Sequence, residues 1–153
     1  MRYWDDIEIG ESYETPARTI TEADLVMFSA LTGDSHPLHT DAEYARSSIY
    51  GGRIAHGLLG LAYLQGLETR VPTDLAAMGS LGWTIDFVSP IRVADTIHGQ
   101  CRISAKRPSR KPDRGLVHVE CLLVDHTGRT LQRGEHRKLV RRRPPHEPPG
   151  EDS

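Results

Sequence analysis

Cysteine is scarce in this chain: 153 residues contain two, Cys101 and Cys121. Both stand inside alternating apolar patterns that read as strands, so they are expected to be reduced, buried, small hydrophobes and not the staples of a disulfide framework. Long apolar runs are missing as well. The longest, residues 54–67, is interrupted near its start by His56 and falls short of the roughly 20 residues a membrane span needs. The opening stretch Met1-Arg-Tyr-Trp-Asp-Asp6 lacks the apolar segment of a secretory signal. No membrane partner is expected, and a cytoplasmic location follows. There is no excess of positive charge either: 19 basic side chains face 21 acidic ones, a net charge of -2. That balance argues against a nucleic-acid partner, because phosphate-binding domains carry a basic surplus.

What is present is ordinary globular material, 37% apolar and 26% charged, and this length suits one domain with a real core. We place that domain at 1–141. Residues 142–153 are proline-rich, polar and aperiodic, and are expected to form a disordered tail. Two basic clusters, Arg107, Arg110, Lys111 and Arg114, then Arg137, Lys138, Arg141, Arg142 and Arg143, read either as solvated charge or as a dock for the phosphates of a carrier such as coenzyme A.

Helical signals gather in the first half. Thr21-Glu-Ala-Asp24 is a capping box followed by Leu25, Met27, Phe28 and Leu31, which predicts a helix over 22–31. Thr40-Asp-Ala-Glu43 repeats the device and predicts a shorter helix through Arg46, ended by Gly51-Gly52. From Ala55 to Leu67 apolar residues occupy most of the helix circumference, so this helix is expected to be buried on nearly all sides. The period then changes to two. Leu81, Trp83, Ile85 and Phe87 alternate with polar or small residues, as do Ile97, Cys101 and Ile103, and Val117, Val119, Cys121 and Leu123. A last strand over 130–140 alternates poorly and contains Gly134. These patterns describe an α+β fold in which an antiparallel sheet surrounds one buried helix.

The reactive side chains concentrate in Gly33-Asp-Ser-His-Pro-Leu-His-Thr-Asp41, between two helices. A carboxylate, Asp34, and an imidazole, His39, can orient a shared water and take its proton, and Pro37 stiffens the segment between them. An equally simple reading gives Asp34 a turn's backbone donors to satisfy and His39 a place beside the next helix cap. A third would gather Asp34, His36, His39, Asp41 and His56 round a metal, but the spacing matches no zinc pattern; neither metal nor cofactor is expected. Downstream, Gly51-Gly-Arg-Ile-Ala-His-Gly57 leads into the long helix. The free N–H groups of a helix start can receive an oxygen gaining negative charge, so Gly57 is a candidate oxyanion donor or, alternatively, a glycine required by close packing.

Gly33-Asp-Ser-His-Pro-Leu-His39-Thr-Asp41 followed by Ala55-His-Gly57 and an apolar helix resembles the MaoC-like, R-specific enoyl-CoA hydratase family. Its signature is a Gly-Asp-x-Asn-Pro-x-His stretch and a later His-Gly helix start. The resemblance is close over 21–67 and general beyond. It implies a hot-dog fold, a homodimer or dimer of dimers, and an acyl thioester of coenzyme A or an acyl carrier protein as substrate. It also implies Asp34 and His39 as the catalytic pair and Gly57 as the donor to the thioester carbonyl, with His36, Pro37, Ala55, His56 and Leu58 lining the substrate. The family's asparagine is replaced here by His36, a bulkier, titratable group. Two alternatives of other classes stand beside hydration: a hot-dog thioesterase, which would need a carboxylate but not the pair, and a non-catalytic acyl-thioester-binding protein.

Overall fold

Thr21 opens the first long helix by a reciprocal pair of bonds. Its hydroxyl accepts from the Asp24 N–H (3.4 Å), and its own N–H donates to Asp24 Oδ2 (2.7 Å), which satisfies two backbone groups at a helix start. The helix, α1 (Glu22–Thr32), ends at Gly33 with φ of 77°, the left-handed value that glycine adopts without strain. In this computed structural model, which describes residues 1–72 and 75–144, the buried side of α1 is Leu25 and Phe28, while Met27 and Leu31 are exposed. The expected apolar stripe therefore contributes only half its members to the core.

Between α1 and the next expected helix lies one that the sequence concealed. Pro37 takes the first position of a single turn, α2 (Pro37–Thr40), where its fixed φ is already helical. This shifts the next start by one residue. Asp41, not Thr40, caps α3 (Ala42–Ser47), its Oδ1 accepting from the N–H groups of Glu43 and Tyr44. Thr40 instead turns its hydroxyl back to the carbonyls of Ser35 and His36.

The central helix, α4, spans Gly57–Glu68. Leu59, Leu64 and Leu67 are buried, and each such side chain contributes roughly 1.5–3 kcal/mol by leaving water. Burial is not all-round, however. Leu58, Ala62 and Gly66, four residues apart in turn, form an exposed stripe, with Leu58 59% accessible.

The strands are β1 (Ser12–Glu14), β2 (Arg18–Thr19), β3 (Ala77–Phe87), β4 (Thr96–Pro108), β5 (Arg114–Asp125) and β6 (Thr130–Arg141). They form one antiparallel sheet in the order β1-β4-β5-β6-β3, with β2 also on β4. Ile97, Cys101, Ile103, Val117, Val119, Cys121 and Leu123 all turn inward as expected. Cys101 and Cys121 face each other as free, buried thiols. A Cβ on Gly99 would stand 2.5 Å from Leu64 Cδ1, which is how closely α4 approaches the sheet. The sheet thus wraps a central helix, the hot-dog arrangement.

The poor alternation of β6 and the unexpected exposure along β3 have local reasons. Gly134 of β6 faces Ile85, and a Cβ there would collide with the Thr84 carbonyl. In β3 the register slips between Ala77 and Gly79 and again between Ser80 and Gly82. Such bulges exchange the faces of a strand, so Leu81, expected inside, is 48% exposed; Phe87, beyond both bulges, keeps to the α4 side against Gly57 and is 56% exposed at the end of the strand. Ser80, expected outside, turns to the helix side and meets His136.

Most of the second basic cluster has partners within the fold. Lys138 binds buried Glu68, and Arg142 and Arg143 bind Asp5 and Asp6. The expected tail therefore begins with two anchored residues; 145–153 lie outside the described residues. Among those described, no helix is long and apolar enough to cross a membrane.

Candidate active site

The left-handed turn at Gly33 delivers the chain from α1 directly to Asp34. There Oδ1 accepts from the His36 N–H at 3.3 Å, and His36 Nδ1 in turn accepts from the Leu38 N–H at 3.2 Å. His36 thereby caps α2, the role an asparagine side chain performs at a helix start. The single turn of α2 then presents His39. Its Nδ1 lies 2.8 Å from the carbonyl oxygen of Ile54. A carbonyl only accepts, so Nδ1 carries the hydrogen and the neutral ring keeps its lone pair on Nε2.

His56 stands behind this pair. It is 2% exposed, stacks on His39 with ring centroids 3.8 Å apart, and its Nε2 donates to the carbonyl of Asp34 at 2.9 Å. One buried imidazole thus supports the ring of one reactive residue and the backbone of the other. A carboxylate oxygen of Asp34 and one ring nitrogen each of His39 and His56 lie within 4.8 Å of one another. Two hydrogen bonds of ordinary length meeting at one water span about 4.6 Å, so a spacing within 4.8 Å is compatible with a bridging water. Burial pushes the His39 pKa down, and the proximity of His56 adds to it, against the opposing bond to Ile54. The ring is held below the usual imidazole value and is therefore a free base at neutral pH.

His39 opens onto a cavity of about 190 Å³ whose walls include Tyr50, Ile54, Ala55, Gly57, Phe87 and Gln132. Gly57 is the first residue of α4, where N–H groups have no acceptor within the helix and the helix dipole is positive. Glycine here also admits close packing: a Cβ would lie 2.6 Å from the Phe87 ring and would displace it. Gln132, buried on β6, fixes this helix start by donating to the Gly57 carbonyl at 2.7 Å. Its Oε1 and His56 Nδ1 are buried and have no hydrogen-bond partner among the described residues.

Asp34 and His39 thus lie close together, and His39, Gly57 and Ala55 line the cavity, whose walls do not include Asp34. Pro37 is half-buried as the first residue of α2, and His36 is exposed with its ring 6.2 Å from that of His39. His56 is enclosed behind His39 instead of lining the cavity, and Leu58 belongs to the outward stripe of α4. Sequence reasoning missed Tyr50, Ile54, the 87–91 segment and Gln132. They carry no reactive pattern, and topology alone brings them here. A larger trough of about 940 Å³ lies on the opposite face of the sheet, among Glu14, Gln100, Arg102 and Glu120, away from the Asp34–His39 pair.

Residues 6–123 match the model of the MaoC like domain. The chain is 31% identical over 112 residues to an (R)-specific enoyl-CoA hydratase of Rhodospirillum rubrum, covering 72% of this chain and 76% of that one. It is 31% identical over 124 residues to a 3-hydroxybutyryl-CoA dehydratase of Methylorubrum extorquens, covering 80% and 76%. The crystal structure of a MaoC-like dehydratase from Rhodospirillum rubrum superposes with a TM-score of 0.86 at 27% identity, over 94% of this chain and 99% of that one. The chain belongs to the MaoC-like family.

Proposed function

We propose that the protein is a hydro-lyase that reversibly hydrates a trans-2-enoyl thioester of coenzyme A or an acyl carrier protein to the (R)-3-hydroxyacyl thioester. The observation that carries this reading is the close approach of Asp34 to His39, within 4.8 Å, with His39 sharing a cavity wall with the start of α4 at Gly57. In the hydration direction, Asp34 and His39 hold a water against the β-carbon. As the oxygen–carbon bond forms, His39 Nε2 takes one proton of that water. The electrons of the double bond move toward the thioester carbonyl, whose oxygen gains charge against the Gly57 N–H. Return of a proton to the α-carbon on the same face completes the addition, and dehydration follows the same steps in reverse. The names of the two relatives, a hydratase and a dehydratase, agree with this chemistry.

A homodimer is part of the proposal. Strand β3 ends the sheet, pairing with β6 on one side, and carries exposed Met78, Leu81 and Phe87. An open apolar edge of this kind invites pairing with a second copy.

The test uses purified protein and crotonyl-CoA, following loss of the conjugated-enoyl ultraviolet absorbance together with free thiol. Absorbance loss without thiol is the expected result. Thiol release instead would assign a thioesterase, and ligand binding without either signal would assign a binding protein.

A further inference from the structure

At the other end of α4, remote in the chain from Asp34 and His39, a second set of reactive side chains is lined up. Glu68, the last residue of α4, is buried in the sheet's embrace, with its side chain 2% exposed. Its Oε2 lies 2.7 Å from His136 Nδ1, and its Oε1 accepts from Lys138 Nζ at 2.7 Å and from Tyr13 Oη at 2.8 Å. Burial pushes the Glu68 carboxyl up, but the bond from His136 and the charge of Lys138 outweigh it, and the pKa lies below the usual glutamate value. An ionised carboxylate only accepts, so His136 Nδ1 carries the hydrogen, and in the neutral form of the ring the lone pair is on Nε2. That nitrogen lies 2.9 Å from Ser80 Oγ. Trp83 stacks on the same ring with centroids 4.0 Å apart and holds it in plane.

We propose that Ser80, His136 and Glu68 form a second reactive centre, an acyl-transfer triad in which Ser80 Oγ attacks small neutral acyl esters or thioesters. The hydroxyl, the imidazole and the carboxylate stand in the order and at the distances such a relay requires. A network serving only to satisfy buried groups would need no opening. Ser80, however, is exposed and shares the wall of a cavity of about 610 Å³ with His136, Lys138, Leu75 and Met78. The two β3 bulges that flank Ser80 are what aim it at His136, and bulges at sheet edges recur where a side chain is redirected in this way. The apolar part of the lining suits a neutral acyl group. Ser80 Oγ turns to the α4 side of the sheet, so pairing of β3 with a second copy in the sheet plane leaves the hydroxyl within the cavity.

The chemistry balances without a further reactant except water. Ser80 Oγ bonds to the carbonyl carbon as its proton passes to His136 Nε2, and the carbonyl electrons move onto oxygen. An ammonium has three donors, of which Glu68 takes one, so Lys138 is the cation on the cavity wall that can face this oxyanion. The carbonyl re-forms, the bond to the alcohol or thiol breaks, and the leaving group takes the proton from His136. Water then attacks the acylated serine, giving up a proton to His136, and the acid leaves with Ser80 restored.

The test is a rapid-mixing assay of the full chain with p-nitrophenyl acetate, followed by mass mapping of the acylated peptide. The expected result is a burst of about one nitrophenolate per chain, with the acyl group on Ser80. Ser80→Ala removes the burst and lowers turnover at least about a hundredfold, while crotonyl-CoA hydration is unchanged. The thermal melt of this variant confirms its fold independently of any hydratase activity. A second measurement uses Ser80→Cys, whose thiolate forms by proton transfer to His136 and is alkylated by iodoacetamide faster than a free cysteine at pH 7. Absence of a burst in the wild type, a burst retained by Ser80→Ala, acylation mapped elsewhere, or ordinary alkylation of Ser80→Cys would each overturn the triad. None of these results bears on Asp34 and His39, whose assay is separate.

Discussion

His56 binds the carbonyl of Asp34 and stacks against the ring of His39 at 3.8 Å, so a residue that need not touch substrate supports both members of the proposed catalytic pair. Its contribution is distinguishable from theirs. His56→Phe keeps a ring for the stack and removes the bond to Asp34. We expect kcat to fall by about tenfold to a hundredfold, the scale of lost positioning, with KM nearly unchanged. A change confined to KM would instead place His56 in substrate binding.

Asp34 and His39 should show larger losses. Asp34→Asn preserves size and removes the charge, and His39→Ala removes the base. Each is expected to lower turnover of a verified enoyl thioester by about a hundredfold or more. Both positions are partly accessible, so thermal stability should change little. Near-normal rates in both variants would remove the pair from the mechanism.

The pH profile follows from the direction of the His39 shift. The imidazole acts as a base and must be unprotonated. Burial lowers its pKa from the ordinary value of 6.5, so protonation requires more acid than usual. In kcat/KM, the acid limb assigned to His39 is therefore expected below pH 6.5, with activity retained through neutrality. His39→Ala should remove that limb from whatever residual rate remains. A limb above 6.5 would contradict the lowering of this ring's pKa by burial.

Much of this was legible in the residues, and the exceptions are instructive. β5 was clear because its alternate residues enter one apolar layer, and α1 because its capping box is local. The Asp34 to His39 segment stood out through chemistry packed into a short stretch. By contrast, α2 is one turn set by Pro37, and β1 and β2 are three and two residues long, too short for a period to emerge. Ser80 was assigned to the wrong face because a bulge exchanges inside and outside without leaving a periodic trace. Glu68 and His136 are far apart in the chain and come together only through the packing of α4 on β6. The exposed stripe of α4 was misread because apolar residues facing outward look the same in sequence as those facing inward.

The capping box of α1 links stability to pH. Burial pushes the Asp24 carboxyl up, but hydrogen bonds from Tyr63, Thr21 and Arg18 outweigh it and hold its pKa at about 2, against an ordinary 3.8. A carboxyl with a depressed folded-state pKa stabilises the protein above its unfolded value and loses that contribution as pH falls through the folded one. The expected window of loss is thus from about pH 4 down to about pH 2. Asp24→Ala should cost about 1–2 kcal/mol at neutral pH, as a lost cap does, and flatten the denaturation midpoint across that window. An unchanged acid slope would show that other carboxylates govern it.

Gly60 gives the sharpest packing test near the site. It lies on the buried side of α4, and a Cβ there would stand 2.5 Å from Ile91 Cδ1 and 2.6 Å from Gln132 Nε2. These neighbours are themselves buried, so they have little room to yield, and the interior behaves as a close-packed solid. Alanine is a better helix former than glycine by about 1 kcal/mol, which favours the variant in isolation. Overpacking costs about 1–3 kcal/mol and should prevail. Gly60→Ala is therefore expected to be less stable in urea denaturation despite its higher helix propensity. Because Gln132 also holds the Gly57 carbonyl, displacing it should misalign the start of α4 and lower kcat on the enoyl thioester. A stabilised, fully active variant would mean that Ile91 and Gln132 move aside freely, and that the helix start does not depend on Gln132.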